Sequence, residues 1–241
     1  MPATADSGGS DGQDLDVRRV SPTERAVVYA VRGADRLEGT SIVALRSLRA
    51  IASMLVVIHP GPLSFVSRAM LDGLVDEIIE TEDEEFSSES YRAGVDRVRH
   101  RASVREVVLT GDSWFGPVGD LATFFERMAD EAADFWDVLP PAPPREAFPG
   151  EGFEVVVDRP WFLTVVRKHL LDSRTWNEWW DRAVAPGERE RALETFFTAA
   201  GFAHARAFET TYLHANDPGL FAPEDLLELG VPFVDRAVFT S

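Results

Sequence analysis

Apolar residues recur at the spacing of an α-helix along most of this chain, and that periodicity governs what it is expected to fold into. Ile42, Leu45, Leu48, Ala52 and Leu55 share one helical face, and Leu63, Val66, Met70, Leu74 and Ile78 continue the period beyond the break at His59-Pro60-Gly61-Pro62. Leu121, Phe124, Phe125, Met128, Ala132, Phe135 and Trp136 form a third stripe. Trp176, Trp179, Trp180 and Val184 follow i, i+3, i+4, i+8 in a fourth.

Start and stop signals support the same reading. Ser21-Pro22-Thr23-Glu24 has a capping serine, a proline suited to the first helical position and a glutamate able to reach back, so a helix is expected from there to about Gly33. Asp120 is a cap for the third stripe, and Gly201 is a C-terminal stop. Further helices are expected over 92–105, 160–171, 174–184, 187–200, 203–214 and 223–229. Val104–Thr110, ending at Gly111, and Phe153–Asp158 read as strands. The pattern predicts a mostly α, helix-dominated fold with two or three short β-strands, α+β being the alternative.

Four regions follow from composition. Residues 1–20, rich in Gly, Ser and Asp, read as a disordered acidic tail. Residues 21–139 form a helical N-terminal region. The proline-rich stretch 140–152 reads as a stiff linker, and 153–241 forms a second helical region, with one domain or two left open.

Charge bounds the setting. The 241 residues carry 41 Asp and Glu against 24 Lys and Arg, a formal −17, and Lys168 is the one lysine. Such an excess repels itself, and high salt relieves that by shortening the screening length to about 3 Å at 1 M. With no cysteine there is no thiolate nucleophile, disulfide or cysteine zinc site. The acidic, polar start is not a signal peptide, and the longest apolar run, Met54 to Ile58, falls far short of the roughly 20 residues of a membrane span. A soluble cytoplasmic protein of a salt-adapted cell, without membrane contact, is expected.

The charge is uneven. Segment 18–49 has seven Arg against Glu24, Asp35 and Glu38, a local +4 that with two short helices resembles the start of a helix-turn-helix DNA-binding module. Segment 92–105 is also +4, and it follows nine acids between Asp72 and Glu89, against which it can fold back. Arg46, Arg49, Arg97, Arg101, Trp176, Trp179 and Trp180 are the candidate interaction surface, although a tryptophan stripe is also the usual mark of a core.

Catalytic signals are sparse. Gly111-Asp112-Ser113 after a strand resembles the opening nucleophile block of the GDS-type esterases, which would make Ser113 a nucleophile on the turn leaving a strand. That family also carries G-x-N-D and D-x-x-H blocks. Here His214-Ala215-Asn216-Asp217 has His where Gly belongs and no D-x-x-H follows, so the chain is not assigned to it. His204 and His214 stand near Glu209 and Asp217, but ten residues of straight helix separate the two histidines by about 15 Å, too far to share an ion. No metal site and no cofactor is expected. The reading is a non-catalytic interaction, adaptor or regulatory protein with a protein partner; the alternatives are a DNA-binding transcriptional regulator and a hydrolase using Ser113 or a histidine.

Overall fold

The structure, a computed structural model, describes residues 20–31, 37–82, 88–138, 163–182, 188–208 and 223–236. The tail through residue 19, the 140–152 linker, the strand expected over 153–158, His214 and the turn at 216–219 lie outside the described residues.

The start signal at Ser21 works, but for one turn only. Ser21 N donates to Glu24 Oε2 at 3.2 Å, and a 3-10 turn spans Pro22–Glu24. The chain then enters strand β1 (Arg25–Ala30), buried at every residue. Helix α1 (Gly39–Ile51) leads to strand β2 (Met54–Pro60), and α2 (Phe65–Leu71) to β3 (Glu77–Thr81). Helix α3 (Ser88–Val98) precedes β4 (Glu106–Gly111) and the short β5 (Trp114–Phe115). Helix α4 (Leu121–Arg127), capped by Asp120 through Ala122 N at 3.0 Å, is followed by β6 (Phe135–Asp137). Strand β7 (Leu163–Arg167), helices α5 (Lys168–Leu171), α6 (Arg174–Asp181) and α7 (Glu188–Ala199), strand β8 (His204–Arg206), helix α8 (Pro223–Glu228) and strand β9 (Val234–Asp235) complete the order.

Seven strands form one mixed sheet in the order β3-β2-β1-β4-β7-β6-β8. The four strands β1 to β4 run parallel, β7 is antiparallel to both β4 and β6, and β8 is parallel to β6. Strands on both sides of residues 140–152 therefore pair within a single sheet. The expectation of a helix-dominated fold is overturned by this α/β sheet with helices on both faces. The cause is burial: central parallel strands are apolar on both sides, so Arg25–Ala30 and Met54–Pro60 read as continuous runs that satisfy a helical period as easily as any other. The helix-turn-helix reading of 18–49 falls for the same reason, since its first helix is a central strand.

One face of the sheet packs Leu45 and Leu48 of α1, Leu71 of α2 and Phe124 and Phe125 of α4 against Val27, Leu55 and Val108. The other packs Tyr91, Val95 and Val98 of α3, Trp176, Trp179 and Trp180 of α6 and Phe197 of α7 against Val28, Val56 and Leu109. Gly94 lets α3 lie close to the sheet: a Cβ there would stand 2.4 Å from Val28 Cγ1 and 2.9 Å from Ile58 Cδ1.

At the amino ends of β1 and β4, Arg25 and Glu106 are cross-strand partners. Arg25 Nε donates to Glu106 Oε1 at 2.5 Å, Nη1 donates to Ile51 O at 3.0 Å, and the guanidinium lies 4.0 Å from the Phe125 ring centre. Both side chains are at most 5 % exposed. Removing one partner of such a pair leaves a buried charge uncompensated. Glu106→Leu is expected to cost about 3–5 kcal/mol in a urea unfolding titration; a loss under 1 kcal/mol would show that Arg25 is satisfied by its other contacts.

Candidate active site at the carboxyl ends of β1 and β4

The chain moves from β1 outward through β2 to β3, then crosses back to place β4 on the other side of β1. This reversal places the carboxyl ends of β1 and β4 at the position where open α/β sheets form the crevice that binds ligands. The register sets Ala30 beside Gly111. Gly111 is required there, because a Cβ would fall 2.6 Å from Ala30 O. Asp112 N donates to Ala30 O at 3.1 Å, which ties the turn leaving β4 to the end of β1. Thr110 anchors the strand end from two directions: its carbonyl accepts from Tyr91 Oη at 2.9 Å, and its Oγ1 accepts from Trp114 Nε1 at 2.8 Å.

Asp112 itself is nearly buried. Ser113 Oγ is a buried atom without a hydrogen-bond partner among the described residues. Arg236, directly after β9, reaches across this turn. Its backbone N donates to Ser113 O at 3.0 Å, its Nη1 donates to Asp112 O at 3.0 Å, and its Nη2 pairs with the Glu38 carboxylate. The guanidinium also lies 4.9 Å from the Phe115 ring centre. Antiparallel pairing of β5 with β9, Trp114 with Asp235 and Phe115 with Val234, holds Arg236 in place.

Tyr29, opposite Thr110 in the register, brings a phenol to the same crevice, hydrogen-bonded to Ser41 of α1. Burial pushes its pKa well above the ordinary phenol range, and the Asp112 and Glu38 carboxylates push the same way; the Ser41 bond and Arg236 oppose them. At the end of β2, His59 is buried, with Nδ1 donating to Gly61 O at 3.0 Å and Nε2 without a partner among the described residues.

A second polar group lies at the carboxyl end of β6. Asp137 accepts from Thr164 Oγ1 and from His204 Nε2 at 3.0 Å, His204 Nδ1 stands 3.5 Å from Glu194 Oε1, and Glu194 also pairs with Arg206. His204 stacks on Phe135 with ring centres 4.6 Å apart. Among the described residues no group of three or more His, Asp and Glu converges in a way that could hold a metal ion.

Of the residues singled out in the sequence, Asp112 and Ser113 are the ones brought to the crevice. Trp176, Trp179 and Trp180 are core, between 0 and 4 % exposed. Arg46 is exposed on α1, and Arg49 pairs with Asp76. Arg97 pairs with Glu77 at 3.3 Å. Arg101 lines a cavity of about 260 Å³ with Thr23, Asp76 and Glu77, at the amino end of the strands and away from the crevice. Tyr29, Glu38, Ser41, His59 and Arg236 carried no local signal of a shared site.

Residues 55–241 match the family of rhamnan synthesis protein F, RgpF. No curated protein matches the chain. Among solved structures, 4-diphosphocytidyl-2C-methyl-D-erythritol synthase from Anaerococcus prevotii is similar at 10 % identity, over 92 % of this chain and 100 % of that one, with a TM-score of 0.51. Glucosyl-3-phosphoglycerate synthase from Mycobacterium tuberculosis, solved with Mg2+ and uridine diphosphate, is similar at 16 % identity, over 83 % and 74 % of the two chains, with a TM-score of 0.50. At these identities the likeness shows the fold. Family and fold together overturn the expectation of a non-catalytic adaptor, and with it the DNA-binding and serine-hydrolase alternatives. Ser113 has no described histidine within hydrogen-bond reach to serve as its base, so the likeness to an esterase ends at three residues. Among the described residues no helix is long and apolar enough to cross a membrane.

The Tyr29 phenol yields a pH prediction. A folded-state pKa raised above the unfolded value contributes stability that is complete below about pH 10, where a free phenol titrates, and is lost as pH rises through the folded pKa. Denaturant titrations at about pH 8 and about pH 11 should therefore show the wild type losing more stability over that interval than Tyr29→Phe. Equal losses would mean that Tyr29 ionises as freely in the folded protein as in the unfolded one.

Proposed function

Because the chain belongs to the rhamnan synthesis protein F family, we propose that it is a glycosyltransferase-like enzyme that binds a nucleotide-activated sugar in the crevice between β1 and β4. The observation that carries the reading is the Asp112-Ser113 turn, set at the reversal of strand order with its backbone tied to Ala30. The neighbour solved with Mg2+ and uridine diphosphate has the same fold, which supports a nucleoside diphosphate as the ligand class. The proposed setting is the cytoplasm.

A divalent cation of the kind that accompanies nucleotides needs few protein ligands. Mg2+ commonly takes one or two protein carboxylates and leaves the remaining positions to phosphates and water. Asp112 would supply the carboxylate, with the unpartnered Ser113 hydroxyl beside it. The chemistry such an ion supplies is neutralisation of the charge that develops on the diphosphate.

The chain's own residues have separable tasks. The rigid strand end at Gly111 sets the Asp112-Ser113 turn at the diphosphate end of the ligand, where the Asp112 carboxylate would hold the accompanying cation. Tyr29, buried, kept neutral by its surroundings and bonded to Ser41, lies within electrostatic reach of Asp112, Glu38 and Arg236. In the transfer, the bond between the sugar's anomeric carbon and the diphosphate oxygen breaks with its electron pair leaving on the diphosphate. A bond forms from that carbon to an acceptor hydroxyl, whose proton passes to a base. The acceptor proposed is a growing glycan, in keeping with the family.

Thermal unfolding and calorimetry with a panel of nucleoside diphosphate sugars test this reading. One or more should stabilise the protein, by about 2.7 kcal/mol at a hundred times the dissociation constant. Asp112→Asn should weaken that ligand at least roughly tenfold, in line with loss of a charged contact worth about 1.5–3 kcal/mol. Absence of any binding across the panel, with and without Mg2+ or Mn2+, would refute the assignment, whereas release of free diphosphate from a nucleoside triphosphate would redirect it to nucleotidyl transfer.

A further inference from the structure

The geometry points to Arg236 as the residue that grips the diphosphate of the bound nucleotide, giving up the Glu38 carboxylate to do so. This rests on the reading of the β1–β4 crevice as a sugar-nucleotide site and names the side chain that recognises the ligand's charge.

Three contacts fix Arg236 at the crevice whether or not Glu38 is engaged. They are its backbone bond to Ser113 O, its Nη1 bond to Asp112 O and its stacking on Phe115. The remaining arm of the guanidinium, Nη2, is held by Glu38. The two sides of that pair are unequal: the Arg236 side chain is 24 % exposed and the Glu38 side chain 57 %. Among the described residues, the Glu38 carboxylate is otherwise held by a 3.3 Å bond from Thr40 Oγ1. An ion pair this exposed contributes roughly 0–1 kcal/mol, so it exchanges readily.

Charge explains why exchange is favoured. Glu38 presents a carboxylate where a diphosphate is to bind, and repels it. Nη2 offers a charged donor to a phosphoryl oxygen, and a phosphate carries more charge than the carboxylate it replaces. When phosphate takes Nη2, Glu38 is released toward solvent. One movement then adds an attraction and removes a repulsion. Ser113 Oγ, buried and unpartnered on the same turn, gains an acceptor as well. In the ligand-free protein Glu38 is thus a stand-in for the phosphate.

Calorimetry with uridine, cytidine, guanosine and thymidine diphosphates, beside the corresponding nucleosides, tests the exchange. Arg236→Ala should weaken the preferred diphosphate roughly 10- to 100-fold while leaving its nucleoside unchanged, because a charged hydrogen-bonding contact is lost and the base-binding surface is not. Glu38→Gln should tighten the diphosphate by roughly two- to fivefold through loss of the competing ion pair. That gain should vanish when the two changes are combined, which a general loosening of the fold would not produce. Should Arg236→Ala fail to fold, as circular dichroism would show, Arg236→Lys keeps the charge without the fork and should give a partial loss confined to the diphosphate. Wild-type affinity in both Arg236→Lys and Glu38→Gln would overturn the inference while leaving the sugar-nucleotide reading intact. Failure of the wild type to bind any diphosphate would overturn both.

Discussion

The buried pairing of Arg25 with Glu106 is the constraint on which the architecture depends. These residues face each other at the first position of β1 and of β4. Desolvating two charges offsets much of their mutual attraction, so the pair stabilises the fold less than its geometry suggests. Its larger effect is on choice. A one-residue slip would part Arg25 from the Glu106 carboxylate and leave its guanidinium buried without that partner. With the register fixed at Arg25, five further residues bring Ala30 beside Gly111, and the crevice is built at that end. An ion pair at one end of two strands thus sets the geometry of the candidate site at the other.

The remaining organisation follows from the same two strands. Tyr29 and Thr110 are paired by the register, and each is fastened by a side chain from elsewhere, Ser41 in one case and Trp114 in the other. Asp112 and Ser113 emerge from the end of β4 onto a turn covered by Arg236. Rigid strand ends carry these groups, and the mixed half of the sheet, β7, β6 and β8, supports them from one side. The His204 cluster at that edge ties β6 and β8 to α7 with an imidazole between two carboxylates.

Some of this was legible in the sequence. Strand β4, the Asp120 cap, the tryptophan face of α6 and the Gly201 stop are each specified by a few adjacent residues, and local patterns report them well. Central strands are another matter. The segments RAVVYA and MLVVIHP lie between two helical layers, so no polar position marks a face and the alternation that identifies a strand is missing. Leu55 therefore passed as the next turn of α1, and Phe135 and Trp136 as the end of α4. The site was legible to the extent of one tripeptide: Gly111-Asp112-Ser113 stood out because it follows a strand. Its partners Tyr29, Glu38, Ser41 and Arg236 become neighbours only through the order of strands in the sheet, and no spacing in the chain encodes that.

This dispersal has a kinetic consequence. Tyr29, Ser41, Asp112 and Arg236 span about two hundred positions, so the crevice is closed by some of the most non-local contacts in the molecule. Such contacts incur their loop-closure entropy before they return any stabilisation, and chains dominated by them fold slowly. The parallel pairing of β1 with β4 must precede the arrival of β9, since Arg236 docks on a turn that this pairing creates. The turn that Arg236 covers is therefore complete only once strands from both ends of the chain have met.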